Sequence, residues 1–308
     1  MPAENLVQDW HRLTYGDNVV MVAQQLQNPL RGAITEKACN GEAHAIADLV
    51  GTGEYLVSEE RSRRNPENPS KLSRRWLVRP DKIESGQYID EEDKFDMAMD
   101  PTSIFVRDHT AKVGRGIWDR ILGVQKVGNT FEVAYGGILG RVNEGKRPGT
   151  TSSLPAGNII AAGATGMTLD KMIQVKEDLA MADFGIEDDD PLYCAIGPKQ
   201  VTNLLKIAAN SATPLNAFEI DQLKNGKPTT LMNMTWIVSN RLPKDASGNR
   251  LCPVWTKRNI VMGVWQDIKG DMWNDTSAKK LPYVYVSARI DCARVQDGGV
   301  RVITCQET

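Results

Sequence analysis

Residues 88–122, YIDEEDKFDMAMDPTSIFVRDHTAKVGRGIWDRIL, join two segments of opposite character. The first gathers six carboxylates (Asp90, Glu91, Glu92, Asp93, Asp96 and Asp100) and Lys94 around Phe95, Met97 and Met99. The second opens at Asp100-Pro101, a capping residue followed by a proline, which favours a helix start because proline has no N–H to leave unpaired there. A helix is therefore expected over 101–122, with Phe105, Ala111, Ile117, Trp118, Ile121 and Leu122 as its apolar contacts. Gly114 and Gly116 inside it each cost roughly 1 kcal/mol against alanine, so a close backbone approach or a bend is expected there.

The carboxylates do not make a cation loop. Counted from Asp90, the sixth position, where a calcium-binding EF-hand turns on glycine, is Phe95, and the twelfth, where it needs glutamate, is Pro101. Nothing in the pattern isolates one carboxylate in apolar surroundings, so no acid/base pair is expected either. Charge is instead segregated along the chain. Residues 61–80 hold seven basic side chains against Glu67, and residues 81–100 hold eight acidic ones against Lys82 and Lys94. Such cancelling blocks suit a homo-oligomer in which the basic segment of one copy meets the acidic segment of the next. The candidate inter-subunit contacts are Arg61, Arg63, Arg64, Arg74, Arg75 and Arg79 on one side and Asp90, Glu91, Glu92 and Asp93 on the other.

Upstream, Val19, Val22, Ala23 and Leu26 share one face of a short helix ended by Asn28-Pro29. From Gly51 to Gln87, GEYLVSEE and LSRRWLVR flank the turn-rich RNPENPS and predict a long hairpin, which would need further surface to lie on. Downstream, 145–158 reads as a loop, and a helix is expected over 168–184, with Thr168 as cap and Leu169, Met172, Ile173 and Leu179 as contacts. LYCAIG then predicts a buried strand, and Pro198 opens a helix burying Val201, Leu204, Leu205 and Ala208. Short strands follow at MTWIVSN, PVWTK and IVMGVW. In YVYVSARIDCARV (283–295), Val284, Val286, Ala288, Ile290 and Cys292 alternate with polar partners, and Asp297-Gly298-Gly299 turns the chain into VRVITC. The sum is an α+β fold.

Other chemistry lacks a signature. GRVNEGK (140–146) has the glycine and lysine spacing of a phosphate loop, but Arg147 stands where a magnesium-binding hydroxyl is needed, and Pro148-Gly149 oppose the helix that should follow. The basic RSRR and SRRW with Trp76 sit among carboxylates, against a nucleic-acid surface. Five cysteines without a CxxC pair and three scattered histidines predict neither a disulfide framework nor a metal centre, and suit a reducing compartment. No catalytic, metal-binding or cofactor-binding residue is assigned. No basic segment leads into an apolar run at the start, and no apolar run is long enough to span a bilayer, so neither export nor a membrane anchor is expected. The net charge of −2 over 308 residues leaves any electrostatic work local.

The order of these parts resembles the major capsid proteins of tailed bacteriophages of the Hong Kong 97 type. The matching pieces are DNVVMVAQQLQNPLRGAI, DEEDKFDMAMDPTS, GMTLDKMIQVKEDLAMADFGIEDDDPLYCAIGPKQVTNLL, NRLPKD and VYVSARIDCARV, running in succession from about residue 17 to residue 295. The resemblance implies an N-terminal arm (1–45), an extended loop (46–90), a spine helix (101–122) within a peripheral domain (91–189 and 281–308), and an axial domain (190–280). It implies a non-enzymatic shell protein of the virion capsid, assembled in the host bacterial cytoplasm into pentamers and hexamers around double-stranded DNA that it does not read. A separate scaffolding protein, a portal and a decoration protein are the implied partners. Two alternatives remain: a nanocompartment shell of the same fold, and an enzyme using the carboxylates at 90–100 or the loop at 140–146.

Overall fold

The structure, a computed structural model, describes residues 28–51, 70, 72–89, 101–186, 190–210, 230, 231, 233–277 and 279–307. The expected helix at 17–27, the run GEYLVSEE and the carboxylates at 90–100 lie outside the described residues. The described residues between 82 and 116 and between 266 and 288 form one compact unit; those between 28 and 81, 117 and 265, and 289 and 307 form another.

In the first unit the strand Ile83–Tyr88 pairs antiparallel with Leu281–Arg294, Tyr88 opposite Tyr283 and Ile83 opposite Ala288. Alternate residues of Ile83–Tyr88 turn to the helix Pro101–Leu122, whose bounds are those expected. Ile83 occupies the space a Cβ on Gly116 would need, 2.5 Å away, so this glycine marks the close approach; Gly114 faces no such neighbour. Two positions along, Ser85 Oγ lies 2.7 Å from Nδ1 of the buried His109. On the other face, Tyr285 donates to Glu84 (2.6 Å), and Tyr88, Tyr283, Tyr285 and Trp273 form a run of ring contacts with centroids 4.6 to 6.5 Å apart. The alternation read along 284–292 holds: Val284, Val286, Ala288, Ile290 and Cys292 are all buried.

The second unit is built on a six-stranded sheet in the order Thr230–Leu231, Met234–Val238, Leu192–Ile196, Arg250–Thr256, Val300–Cys305, Ile159–Ile160. Leu192–Ile196 runs parallel to Met234–Val238 and antiparallel to Arg250–Thr256, which places it inside the sheet and accounts for its nearly unbroken apolar run. A second sheet orders Ala43–Val50, Leu72–Val78, Val142–Glu144 and Thr150–Ser152. The strand expected at LSRRWLVR is therefore present, and its partner is Ala43–Val50, with a bulge between Ala45 and Ala47. Leu77, Cys39, Ile46, Val142, Val261 and Ala293 close a core on this sheet. Thr35–Ala38 adds to Val261–Val264 in parallel, and Val124–Val127 and Thr130–Val133 form a separate hairpin. Part of the expected loop 145–158 is thus ordered as a strand, because Thr150–Ser152 pairs with Val142–Glu144.

The helix expected at 168–184 spans Leu169–Ala180, with Thr168 Oγ1 accepting from the Lys171 N–H and Gly185 left-handed beyond it. Its buried face differs from the expected one. Met172 and Leu179 are buried, but Leu169 and Ile173 are exposed, and Lys171 and Val175 take the inward places. Lys171 turns inward because its ammonium finds four carbonyl oxygens, of Ala162, Thr165, Gly166 and Thr304, at 2.7 to 3.0 Å. Of the residues expected to be buried by Pro198–Asn210, Leu204 is buried and Val201 and Leu205 are partly so. All five cysteines are buried free thiols. No helix among the described residues is long and apolar enough to cross a membrane.

Lys171→Met keeps the stem and removes the donor, leaving buried carbonyls without their partner. The expected loss is about 2–4 kcal/mol, read as a lower urea midpoint with an unchanged slope.

Candidate functional site

The basic candidates separate into three groups. Arg61, Arg63 and Arg64, like Asp90, Glu91, Glu92 and Asp93, lie outside the described residues. Arg74 and Arg75, adjacent on Leu72–Val78, point to opposite faces as the strand pleat requires. Arg74 pairs with Asp48 on the neighbouring strand, both side chains well exposed, and its guanidinium lies 5.3 Å from the centroid of the Trp76 ring. Arg75 is buried, 2.8 Å from Asp297 and 3.2 Å from Glu144. Within this chain, then, Arg75 is an interior side chain with its counter-ions already in place. Arg79, one residue past the strand, is exposed and makes no ion pair among the described residues.

Asp297 is shared. Its second oxygen accepts from Arg294 Nε at 2.5 Å, and Arg294 is fully buried. The remaining guanidinium nitrogens donate to the carbonyls of Ile138, Gly140 and Ser152. Burial of this guanidinium is tolerable only because carboxylate and carbonyls together match it. Sequence reasoning missed both Arg294 and Asp297, since an arginine at the end of an alternating strand reads as a solvated residue.

Arg294 thereby fixes the loop at 134–141 beside the end of the long helix. Gly123 ends that helix with φ +74°, and a Cβ on Gly137 would stand 2.2 Å from the Gly123 nitrogen, so the two backbones meet where no side chain fits. The loop closes on itself through Gly136 N–H to Arg141 C=O at 2.8 Å and Arg141 N–H to Ala134 C=O at 3.2 Å.

These segments wall a cavity of about 190 Å³. Arg79 comes from the end of the strand carrying Trp76, Arg120 from the last turn of the helix, Tyr135 and Arg141 from the loop, and Asp291 from Leu281–Arg294. Arg79, Arg141 and Tyr135 are exposed at the mouth, the Arg141 guanidinium 5.7 Å from the Tyr135 ring centroid; Arg120 is partly buried. Asp291 Oδ1 fills the space beside Gly136, where a Cβ would come within 2.8 Å of it. Burial pushes its carboxyl up to about 6, against the N–H groups of Cys292 and Val78 and the charge of Arg120, which favour the anion. The cavity therefore carries three guanidinium groups and one carboxyl that gains a proton near pH 6.

Of the catalytic alternatives, the carboxylates at 90–100 lie outside the described residues, and the loop at 140–146 lacks the geometry it would need. Residues 140–146 enter a strand, Val142–Glu144, that hairpins into Thr150–Ser152, so no helix N-terminus faces the glycines and lysine as a phosphate loop requires. Trp76 spends its indole N–H on the Gly145 carbonyl at 2.8 Å. Among the described residues, no three histidine, cysteine or acidic side chains cluster as metal ligands would.

Over residues 7–307 the chain matches the family described as phage capsid protein. Among proteins with curated functions, none matches it in sequence. Its fold is similar to the capsid of the cyanophage P-SCSP1u, at a TM-score of 0.66 and 14% identity, over 98% of this chain and 95% of that one. It is similar to the capsid of a native GTA particle at a TM-score of 0.67 and 13% identity, over 100% of both chains. A third similar structure, from Mycobacterium phage Bobi, has a TM-score of 0.63 and 13% identity over 96% of this chain and 95% of the other. At these identities the likeness is one of fold, and it is the Hong Kong 97-type α+β fold expected.

Two outcomes follow from the buried charges. Arg75→Glu sets a third carboxylate beside Glu144 and Asp297 and should cost about 3–5 kcal/mol, unfolding much of the chain, whereas Arg74→Glu should barely move the thermal midpoint. Because the Asp291 carboxyl is raised in the folded state, the contribution of this group is most favourable below about pH 4 and falls as pH rises to about 6. Asp291→Asn should flatten that slope and raise the thermal midpoint at pH 7.5. Thermal melts of both proteins across pH 4 to 8 check it.

Proposed function

This chain belongs to the phage capsid protein family, and on that premise we propose that its copies assemble as pentamers and hexamers around double-stranded DNA. It is a major capsid protein of an icosahedral shell, and its place is the virion capsid. The observation that carries the proposal is the family match over nearly the whole chain, joined to a fold shared end to end with capsid structures. A nanocompartment shell is not favoured, because the family matched is that of phage capsids.

In this reading residues 1–45 act as the arm, 46–90 as the extended loop, 91–189 with 281–308 as the peripheral domain, and 190–280 as the axial domain. Arm and loop absorb the different curvatures of five-fold and six-fold surroundings while the packed sheets keep one conformation, since packed cores resist continuous deformation. A near-neutral chain suits a lining that confines DNA without gripping it. A scaffolding protein guides closure, a portal fills one vertex, and a decoration protein caps the outside.

Negative-stain electron microscopy of the purified chain, alone and with its scaffolding protein, should show closed shells or capsomer rings. A chain that stays monomeric under both conditions overturns the proposal.

A further inference from the structure

Arg79, Arg120, Arg141 and Asp291 line one cavity. The Arg75–Asp297–Arg294 network lies beside it with both arginines ion-paired, whereas Arg79, Arg120 and Arg141 form no ion pair among the described residues. Three guanidinium groups around one carboxyl leave the lining cationic, and two of the three, with the Tyr135 ring, stand exposed at the mouth. Solvated charges of one sign gathered around a concave site focus potential outward and favour an anionic partner.

The occupant can be chosen from the chain itself. Residues 90–93 are four consecutive carboxylates, Asp90, Glu91, Glu92 and Asp93, flanked by Tyr88 and Ile89 on one side and Phe95 on the other. In a shell every copy meets others, so this segment is present at high local concentration wherever the cavity is. We infer that the cavity is a docking site for the acidic segment 90–93 of a second copy of this chain. The inference rests on the shell reading proposed above. It moves the inter-subunit contact away from Arg74 and Arg75, which are paired within the chain, to Arg79 together with two arginines that sequence reasoning did not select.

The geometry divides the work. Arg79 and Arg141 at the mouth donate to the carboxylates in the forked arrangement that guanidinium favours, and Tyr135 with Trp76 completes the lining. Arg120 and Asp291 set the potential of the interior. The charged groups lining the cavity with Asp291 are Arg120 from the helix, Arg79 from the segment after its strand, and Arg141 from the loop, and the titratable neighbours are the thiols of Cys39 and Cys292, both raised by burial; no second carboxylate lines the cavity. With Asp291 ionised, its charge opposes an acidic guest. With Asp291 protonated below about pH 6, the full charge of the three arginines acts on that guest. Docking should therefore tighten as pH falls from 7.5 to 5.5, and weaken with salt.

The test is fluorescence anisotropy of a labelled peptide, residues 86–101, against the full unassembled chain. Arg79→Glu with Arg141→Glu, both exposed positions, should weaken binding roughly tenfold; Asp291→Asn should tighten it at pH 7.5 and abolish its pH dependence. The two variants thus move affinity in opposite directions, which a folding defect does not do, and thermal melts of each check the fold. The same peptide with its carboxylates changed to amides should not bind. Binding unchanged by either variant, absence of binding, or displacement by inorganic phosphate at the peptide's own concentration overturns the docking. Shells scored by microscopy in the same preparation keep that result separate from the shell reading: wild-type shells with no peptide binding would sink the docking alone.

Discussion

A guanidinium shut away from water calls for acceptors around it, and in this chain Arg294 finds one at every nitrogen. That arrangement draws Asp297 from the following turn and carbonyls from Ile138, Gly140 and Ser152 to one point. Segments more than a hundred residues apart in sequence are thereby fixed beside one another. Asp297 then serves a second buried arginine, Arg75, from the strand Leu72–Val78. The loop at 134–141, the end of the long helix and the strand carrying Trp76 all take their places from this network, and the cationic cavity is the space left between them.

The parts of the fold that sequence made legible are those with a local period. The helix Pro101–Leu122 follows from a proline start and apolar spacing, and the strand Leu281–Arg294 from an alternation that burial matches at Val284, Val286, Ala288, Ile290 and Cys292, with Ser287, Ala293 and Arg294 buried besides. Legibility stopped where a long-range partner decides orientation. Nothing near Lys171 announces that its ammonium will find Thr304 across the unit, so the buried face of Leu169–Ala180 was misread, and Leu169 and Ile173 were counted inside. The same limit applies to Asp291: its neighbours in sequence are ordinary strand residues, while what raises its carboxyl is the protein packed around it from elsewhere in the chain.

The charge segregation was readable and its use only partly so. Pleating sends Arg74 and Arg75 to opposite faces, one toward Asp48 on the adjacent strand and one into the interior. A count of like charges along a segment cannot separate these fates, because it ignores the period of two that governs a strand. Of the basic residues counted in 61–80, Arg79 is the one that lines the cavity, and its two companions there, Arg120 and Arg141, come from outside the counted segment.

The five buried cysteines carry one more consequence. Each thiol is enclosed; enclosure pushes those of Cys194 and Cys292 well above the ordinary thiol range, and a hydrogen bond between Cys252 and Cys305 raises the first and lowers the second, so for Cys305 the protection is burial itself. A particle that leaves a reducing cell for an oxidising medium meets that change with no exposed thiol on its folded subunits, which removes a route to random cross-linking between them. The same enclosure makes the chain a ready background for site-specific labelling: one cysteine introduced on an exposed surface would be the only accessible thiol, and a reporter placed there could follow a single subunit position without removing any native residue.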